Sequence, residues 1–165
     1  MTPHNNSSTA EKQKTISIQR TFNLPLDTVW KAWTEPGSFK KWWGPEGYTC
    51  PYCSIDFRVG GKFLNSMKGP DGKEIWSTGI YKEIISLKKI GYTDSFADSK
   101  GKIVPAAYYK MPGEWPLVLI VTISFEEVAG KTNMLLRHSG LPVEAADDCM
   151  KGWQSCFDKL EKNLK

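Results

Sequence analysis

The strongest constraint on the fold is the apolar periodicity at the carboxyl end of the 165-residue chain. Apolar side chains recur there at alternating intervals of three and four residues, which places them on one face of an α-helix. They are Val143, Ala146, Met150, Trp153, Phe157, Leu160 and Leu164. Burial of each such side chain contributes about 1.5–3 kcal/mol. We therefore expect this long helix to dock on the rest of the chain.

Alternating apolar and polar residues before this helix predict a β-sheet. A first strand over 15–22 is followed by two short helical stretches, one at Leu26–Trp33 and one around Phe39 and Trp43. Strand-like segments follow at 48–59, 62–67, 75–85, 87–96, 115–126 and 132–138. Short turns between successive strands favour antiparallel pairing. The order predicts an α+β helix-grip fold, a curved antiparallel sheet of about six strands wrapped around the C-terminal helix.

The length predicts one domain, over 15–165, preceded by a polar, disordered tail over 1–14. The net charge is only +4, and no run of Lys and Arg exceeds two residues, which argues against a nucleic-acid partner. The longest apolar run, 117–123, is too short to span a membrane. No apolar stretch marks a secretory signal at the N-terminus, so we expect a cytoplasmic protein with reduced thiols.

The four cysteines offer two alternatives to simple packing. Cys50-Pro51-Tyr52-Cys53 matches the C-P-Y-C motif of glutaredoxins, but an alternating strand and a turn follow it, whereas that chemistry needs a helix N-terminus. Cys149 and Cys156 are seven apart on one helix face and would complete a four-cysteine zinc site. The simpler interpretation, which assigns no metal, is that both widen the apolar stripe of the helix.

Three polar residues are candidates for a role inside the fold. Asp56 and Arg58 lie two apart, which on a strand gives them one face, for a salt bridge or for orienting a ligand. His138 alternates with Met134 and Leu136, which predicts that it faces the core. It is expected to be a hydrogen-bonded structural residue, because as a general base it would need a carboxylate and none is adjacent in sequence. No catalytic residue is assigned.

Seven tryptophans are many for this length, and small-molecule pockets are lined by aromatic side chains with a few polar groups. The loop over 97–114 is long enough to suggest a functional lid. The candidate ligand-binding residues are Trp76, Tyr92, Phe96, Tyr108, Tyr109, Trp115, His138, Met150 and Trp153.

Several motifs in order carry a family resemblance. They are RTFNLPLDTVWKAWTEPGSFKKWWGP, DFRVGGKF, GIY, VTISFEEVAGKTNMLLRHSGLP and GWQSCFDKLEKNL. Over residues 15–165 the chain resembles the family of activators of heat-shock protein 90 ATPase, within the START-like superfamily. The resemblance implies a helix-grip fold and a cavity between sheet and helix that holds small apolar molecules in some relatives.

These observations lead to three hypotheses about function. The first is a binding protein for a small apolar or aromatic molecule, without a cofactor, present as a monomer or weak dimer. The second is a stress-related protein-interaction module that contacts a chaperone, which rests on the resemblance alone. The third is a cyclase- or hydrolase-like enzyme, for which His138 or Asp56 would have to face the cavity with a shifted pKa.

Overall fold

The computed structural model describes residues 13–165, and these form a seven-stranded antiparallel sheet with a long helix at the carboxyl end. The strands are β1 (Gln13–Phe22), β2 (Cys53–Ile55), β3 (Lys62–Lys68), β4 (Glu74–Ile85), β5 (Lys89–Ala97), β6 (Leu119–Val128) and β7 (Lys131–Pro142). The helices are α1 (Leu26–Thr34), α2 (Pro36–Phe39) and α3 (Val143–Asn163). The strand order β1-β7-β6-β5-β4-β3-β2 confirms the helix-grip prediction, with slightly more strands than expected.

Helix α3 buries the predicted apolar face. Ala146, Trp153, Phe157 and Leu160 are buried, and Cys156 widens the stripe as expected. Met150, Leu164 and Cys149 are partly buried against the same core. Val143 is the exception, since it is 47% exposed at the first position of the helix. The helix therefore begins to bury its apolar face only after its first residue.

The register of the central strands decides which residues face α3. Tyr92 of β5 pairs with Val121 of β6, and Val121 pairs in turn with His138 of β7. Directly opposed residues in an antiparallel sheet point to the same face. All three side chains are buried, and His138 contacts Trp153 of α3. The inner face of the sheet thus carries His138 toward the helix, as the alternation of β7 predicted.

The predicted strand over 48–59 is wrong in extent. Only Cys53–Ile55 pairs as a strand, because the chain turns at residues 56–61: the Arg58 N–H donates to Asp56 O, and the Gly61 N–H donates to Arg58 O. A side chain at Gly61 would place its Cβ 2.0 Å from Asp56 O, so the turn needs glycine there. Asp56 and Arg58 consequently lie in a turn and not on a strand.

The predicted tail lies outside the described residues except for its last two positions. Gln13 and Lys14 belong to β1 and pair with Pro142 and Leu141 of β7. The first strand therefore begins two residues earlier than the alternation indicated.

The long connection between β5 and β6 folds back on the end of the sheet. Ile103 forms an isolated bridge with Ala97, and a 3-10 turn spans Ala106–Tyr109. The Tyr109 hydroxyl donates to Ala97 O and accepts from the Trp76 N–H at 3.1 Å. These bonds tie the loop to strands β4 and β5.

Candidate functional site

A narrow cavity lies between the inner face of the sheet and the aromatic side chains of the first two helices and the turn after α2. Its free space is about 20 Å³, which is room for one water molecule. Eleven residues line it: Trp33, Phe39, Trp43, Cys53, Ile55, Phe63, Asn65, Tyr81, Ile90, Tyr92 and Asp94. Apart from Asn65 and Asp94, the lining is apolar or aromatic.

Three lining residues carry buried polar atoms without a hydrogen-bond partner. They are the indole N–H groups of Trp33 and Trp43 and the side-chain oxygen of Asn65. Asn65 lies on β3 two residues from Phe63, on the inward side of the strand, and is only 2% exposed. Buried polar groups are nearly always hydrogen-bonded in native proteins. We refer to Trp33, Trp43 and Asn65 as the cavity cluster.

Asp94 connects the cavity to His138. Its carboxylate oxygen Oδ2 lies 3.3 Å from Nε2 of His138, whose side chain is 6% exposed against 26% for Asp94. The two atoms lie within the distance of an ion pair. They do not form an aligned hydrogen bond, because Nε2 has no hydrogen-bond partner. His138 thus has the carboxylate neighbour that could not be found near it in the sequence.

The other ring nitrogen of His138 meets two residues of α3. The Trp153 indole N–H donates to Nδ1 at 3.1 Å, and the Cys149 sulfur lies 3.6 Å from the same nitrogen. Residues four apart on a helix are neighbours on one face, so both reach one imidazole. Because an indole N–H can only donate, Nδ1 accepts in this arrangement, and the ring proton is on Nε2, facing Asp94.

The surroundings of His138 increase its affinity for a proton. Burial opposes the charged ring, but the contacts with Asp94 and Cys149 outweigh it and raise the pKa of His138 to about 9. A proton on Nδ1 would take the place of the Trp153 hydrogen bond. Nearby, burial and the Asp94 charge raise the pKa of Tyr92 well above its ordinary value, which keeps that phenol neutral.

The structure separates the residues predicted to bind a ligand into two places. Tyr92 lines the cavity, while His138 and Trp153 are joined to it through Asp94. Met150 lies on α3, partly buried against the core. The remaining five, Trp76, Phe96, Tyr108, Tyr109 and Trp115, do not line this cavity.

Four of those five form a second aromatic group, which we call the loop cluster: Trp76, Phe96, Tyr109 and Trp115. The ring of Phe96 lies 5.8 Å from Tyr109 and 5.3 Å from Trp115. The Trp115 N–H donates to Pro112 O at 2.9 Å, and Tyr109 bonds the backbone of Trp76. Tyr108 is 59% exposed beside Tyr109. No residue of the 97–114 loop lines the cavity, so the predicted lid does not cover it here.

No member of the cavity cluster was predicted from the sequence as a site residue. Trp33 and Trp43 were expected only as residues of the two short helical stretches. The available signal was Asn65, a polar residue that alternates with Phe63 and Met67 on one face of a strand. A polar side chain at an inward position needs a partner, and this is how the cluster could have been found.

The structure supports neither the redox nor the zinc interpretation of the cysteines, and it shows Asp56 and Arg58 as an ion pair. All four thiols are free, and burial raises the pKa of Cys50 to about 11 and of Cys53 to about 12, the reverse of what redox catalysis requires. Within residues 13–165 no group of three or more His, Cys, Asp or Glu side chains is arranged to hold a metal ion, so the four-cysteine zinc site is not formed. Asp56 and Arg58 form the salt bridge expected of the simpler interpretation, at 3.0 Å on the surface.

Comparison with known proteins places the chain among solved structures of the same shape. The crystal structure of protein CV1439 from Chromobacterium violaceum has a TM-score of 0.75 at 26% identity, covering 91% of this chain and 96% of that one. An NMR structure from Staphylococcus epidermidis gives 0.71 at 27%, covering 94% and 92%. The AHSA1 protein from Silicibacter pomeroyi gives 0.72 at 19%, covering 92% and 97%, a likeness of fold alone.

No helix within residues 13–165 is both long and apolar enough to cross a membrane. The family described as Activator of Hsp90 ATPase homolog 1-like protein matches residues 23–165, which is most of the sequence. The resemblance carried by the motifs is therefore confirmed, and the chain belongs to this family.

Proposed function

We propose that the protein binds a small, mostly apolar or aromatic molecule in the cavity between the sheet and the helices. The observation that carries this proposal is the cavity cluster, which presents two donors and one acceptor without partners on an aromatic lining. Ligand sites of this kind combine an apolar wall with a few polar groups that fix orientation. A molecule with an acceptor for the indole N–H groups and a donor for Asn65 would complete these bonds.

The free space of about 20 Å³ means that a ligand must displace lining side chains. Trp43 is the side chain best placed to move, because it is only partly buried, whereas Trp33 is 4% exposed. Its ring stacks on Phe39 with a centroid distance of 4.9 Å, and this contact breaks if Trp43 swings outward. The proposal therefore includes an opening of the cavity at Trp43 when the ligand enters.

The binding site proposed from the sequence overlaps this cavity in part. Tyr92 belongs to its wall, and we include His138, Met150 and Trp153 as the side of the site formed by β7 and α3. The loop cluster and Tyr108 are a second place where an aromatic molecule could bind, and the experiment below separates the two.

The test uses the indole N–H signals of the tryptophans in a heteronuclear NMR titration with fatty acids, sterols and flavonoid-like aromatics. We expect the unpartnered indoles of Trp33 and Trp43 to shift most, while Trp30, whose ring packs on Phe57 and Phe125 and does not line the cavity, stays nearly unchanged as a control. Shifts confined to Trp76 and Trp115 would transfer binding to the loop cluster. Native mass spectra of freshly purified protein check for a bound molecule.

A second candidate function is a protein contact, as in activation of a chaperone ATPase. It is supported by the family name and by exposed apolar side chains at Leu117, Val118 and Ile120, which are 53%, 44% and 46% exposed. Exposed apolar surface of this kind favours a protein partner. Stimulation of the ATPase of heat-shock protein 90 by the full chain, lost on changing Leu117 and Ile120 to Ser, is the expected result for this alternative.

A further inference from the structure

The neighbourhood of His138 contains a nucleophile, a base and a carboxylate in contact. The Cys149 sulfur lies 3.6 Å from Nδ1 of His138, and Asp94 approaches the opposite nitrogen, Nε2, at 3.3 Å. Three different elements supply them: α3, β7 and β5. A nucleophile beside a base that is oriented by a third group is the arrangement of activated cysteines in enzymes. Such contacts are often long in unliganded structures and tighten when a substrate is present.

Trp153 fixes the tautomer of the neutral ring but uses the same lone pair, so a proton from Cys149 has to displace its hydrogen bond. Its N–H donation to Nδ1 places the ring proton on Nε2, so the nitrogen that faces Cys149 carries a lone pair. Cys149 itself is only partly buried where it packs against the core. Among the hydrogen bonds described within residues 13–165, Cys149 is the one cysteine of the four that contacts a histidine.

We propose that Cys149, with His138 as its base and Asp94 as a positioning residue, is a nucleophilic site that adds to small, apolar, electron-poor alkenes such as α,β-unsaturated carbonyl compounds. This inference goes beyond ligand binding in the cavity, because Cys149 lies outside the cavity lining although Asp94 is part of it. It adds a covalent chemistry to the fold that packing of the helix does not require.

The reaction balances without any further reagent. The Cys149 proton passes to Nδ1 of His138, and the sulfur forms a bond to the β-carbon while the C=C π bond breaks. The electron pair of that bond moves to the α-carbon and its carbonyl, and the imidazolium returns the proton to the α-carbon. The step requires the neutral ring, and the contacts with Asp94 and Cys149 raise the pKa of His138 to about 9 against the effect of burial, so we expect the Cys149 rate to rise as the pH approaches 9.

The surroundings favour this substrate class. Cys149 packs against an apolar core, and the indole of Trp153 stands one turn away on the same helix face. An addition of this kind needs one group that removes a proton from sulfur and gives it back to carbon, and His138 is in contact with the sulfur. A charged electrophile would lose solvation here, whereas a neutral conjugated one would not.

The experiment is a rate measurement on the full chain with N-ethylmaleimide, followed by peptide mass spectrometry of each cysteine. Cys53 is the internal control, because it is also partly buried but has a pKa raised to about 12 by burial. We expect Cys149 to react at least about tenfold faster than Cys53 at pH 8.5, where a larger share of His138 is neutral than at pH 7. In His138→Gln the Cys149 rate should fall about tenfold or more, with the Cys53 rate unchanged.

Asp94→Asn provides a second variant in case His138→Gln does not fold, as judged from its amide spectrum. We expect a smaller loss, of about threefold, and a displaced pH profile of the Cys149 rate, which a purely structural role would not produce. The proposal is overturned if Cys149 reacts no faster than Cys53 in the native protein. It is also overturned if neither variant changes the ratio of the two rates.

Discussion

The cavity cluster and the loop cluster are both rich in aromatic side chains, but their polar atoms differ. In the loop cluster the Tyr109 hydroxyl and the Trp115 N–H are hydrogen-bonded to backbone groups. In the cavity cluster the Trp33 and Trp43 N–H groups and the Asn65 oxygen have no partner. In the sequence, the two clusters share the same feature, which is their aromatic residues. The difference is the reason why we propose the cavity cluster, and not the loop cluster, as the binding site.

Removal of the last eleven residues of α3 should have the largest effect, although none of them lines the cavity. A chain ending at Gly152 loses Trp153, Phe157 and Leu160, which are buried in the core, while the loop cluster keeps all of its residues. We expect no cooperative thermal unfolding, because the inner face of the sheet loses its cover. Differential scanning calorimetry is the measurement. A truncated chain that still unfolds cooperatively would show that the sheet and loop cluster are stable alone.

The second prediction concerns the pH dependence of the unfolding free energy and involves His138, not the loop cluster. The folded pKa of His138, about 9, lies above the ordinary 6.5, so its contribution to stability is complete below pH 6.5 and is lost as the pH rises through 9. From about 1.4 kcal/mol per pKa unit, the loss approaches about 3 kcal/mol. Urea unfolding at pH 6, 7.5 and 8.5 measures it. His138→Gln should remove this slope, and an equal slope in the variant would assign it to other groups.

In the loop cluster, Tyr109→Phe should cost about 1–2 kcal/mol of unfolding free energy. The hydroxyl donates to Ala97 O and accepts from the Trp76 N–H, so its loss leaves two backbone groups without their partner. Chemical denaturation measures the change. Tyr108→Phe is the matched control: Tyr108 is 59% exposed, and the variant should change stability by less than about 0.5 kcal/mol.

Among the substitutions at partnered or buried groups, Asn65→Leu is expected to change stability least. Replacement by Leu removes a buried oxygen that has no partner and keeps a similar volume, so the unfolding free energy should change by less than about 1 kcal/mol. Ligand-induced shifts of the Trp33 and Trp43 indoles should nevertheless disappear in this variant. A decrease of several kcal/mol in the unfolding free energy would mean that Asn65 stabilises the fold. The polar atoms of the cavity cluster would then be structural, like those of the loop cluster.

The fold could be predicted because its signals are local. The period of α3, the alternation in β6 and β7 and the turns between strands each act within a few residues. The site depends on contacts that no local pattern contains: Asp94 meets His138 only because β5, β6 and β7 pair in one register. Cys149 was assigned to the apolar stripe, which is consistent with its burial, and its contact with His138 follows from the docking of α3.

The hydrogen bond between Trp153 and His138 makes one indole a reporter of events at the imidazole. A proton that arrives on Nδ1, from solvent or from Cys149, must displace the Trp153 N–H from its acceptor. Incorporation of 5-fluorotryptophan would convert this exchange into a displaced ¹⁹F signal from a single ring. Trp33 and Trp43 contact the Trp153 ring and can respond with it, whereas Trp30, Trp42, Trp76 and Trp115 lie outside these contacts and serve as references in the same spectrum.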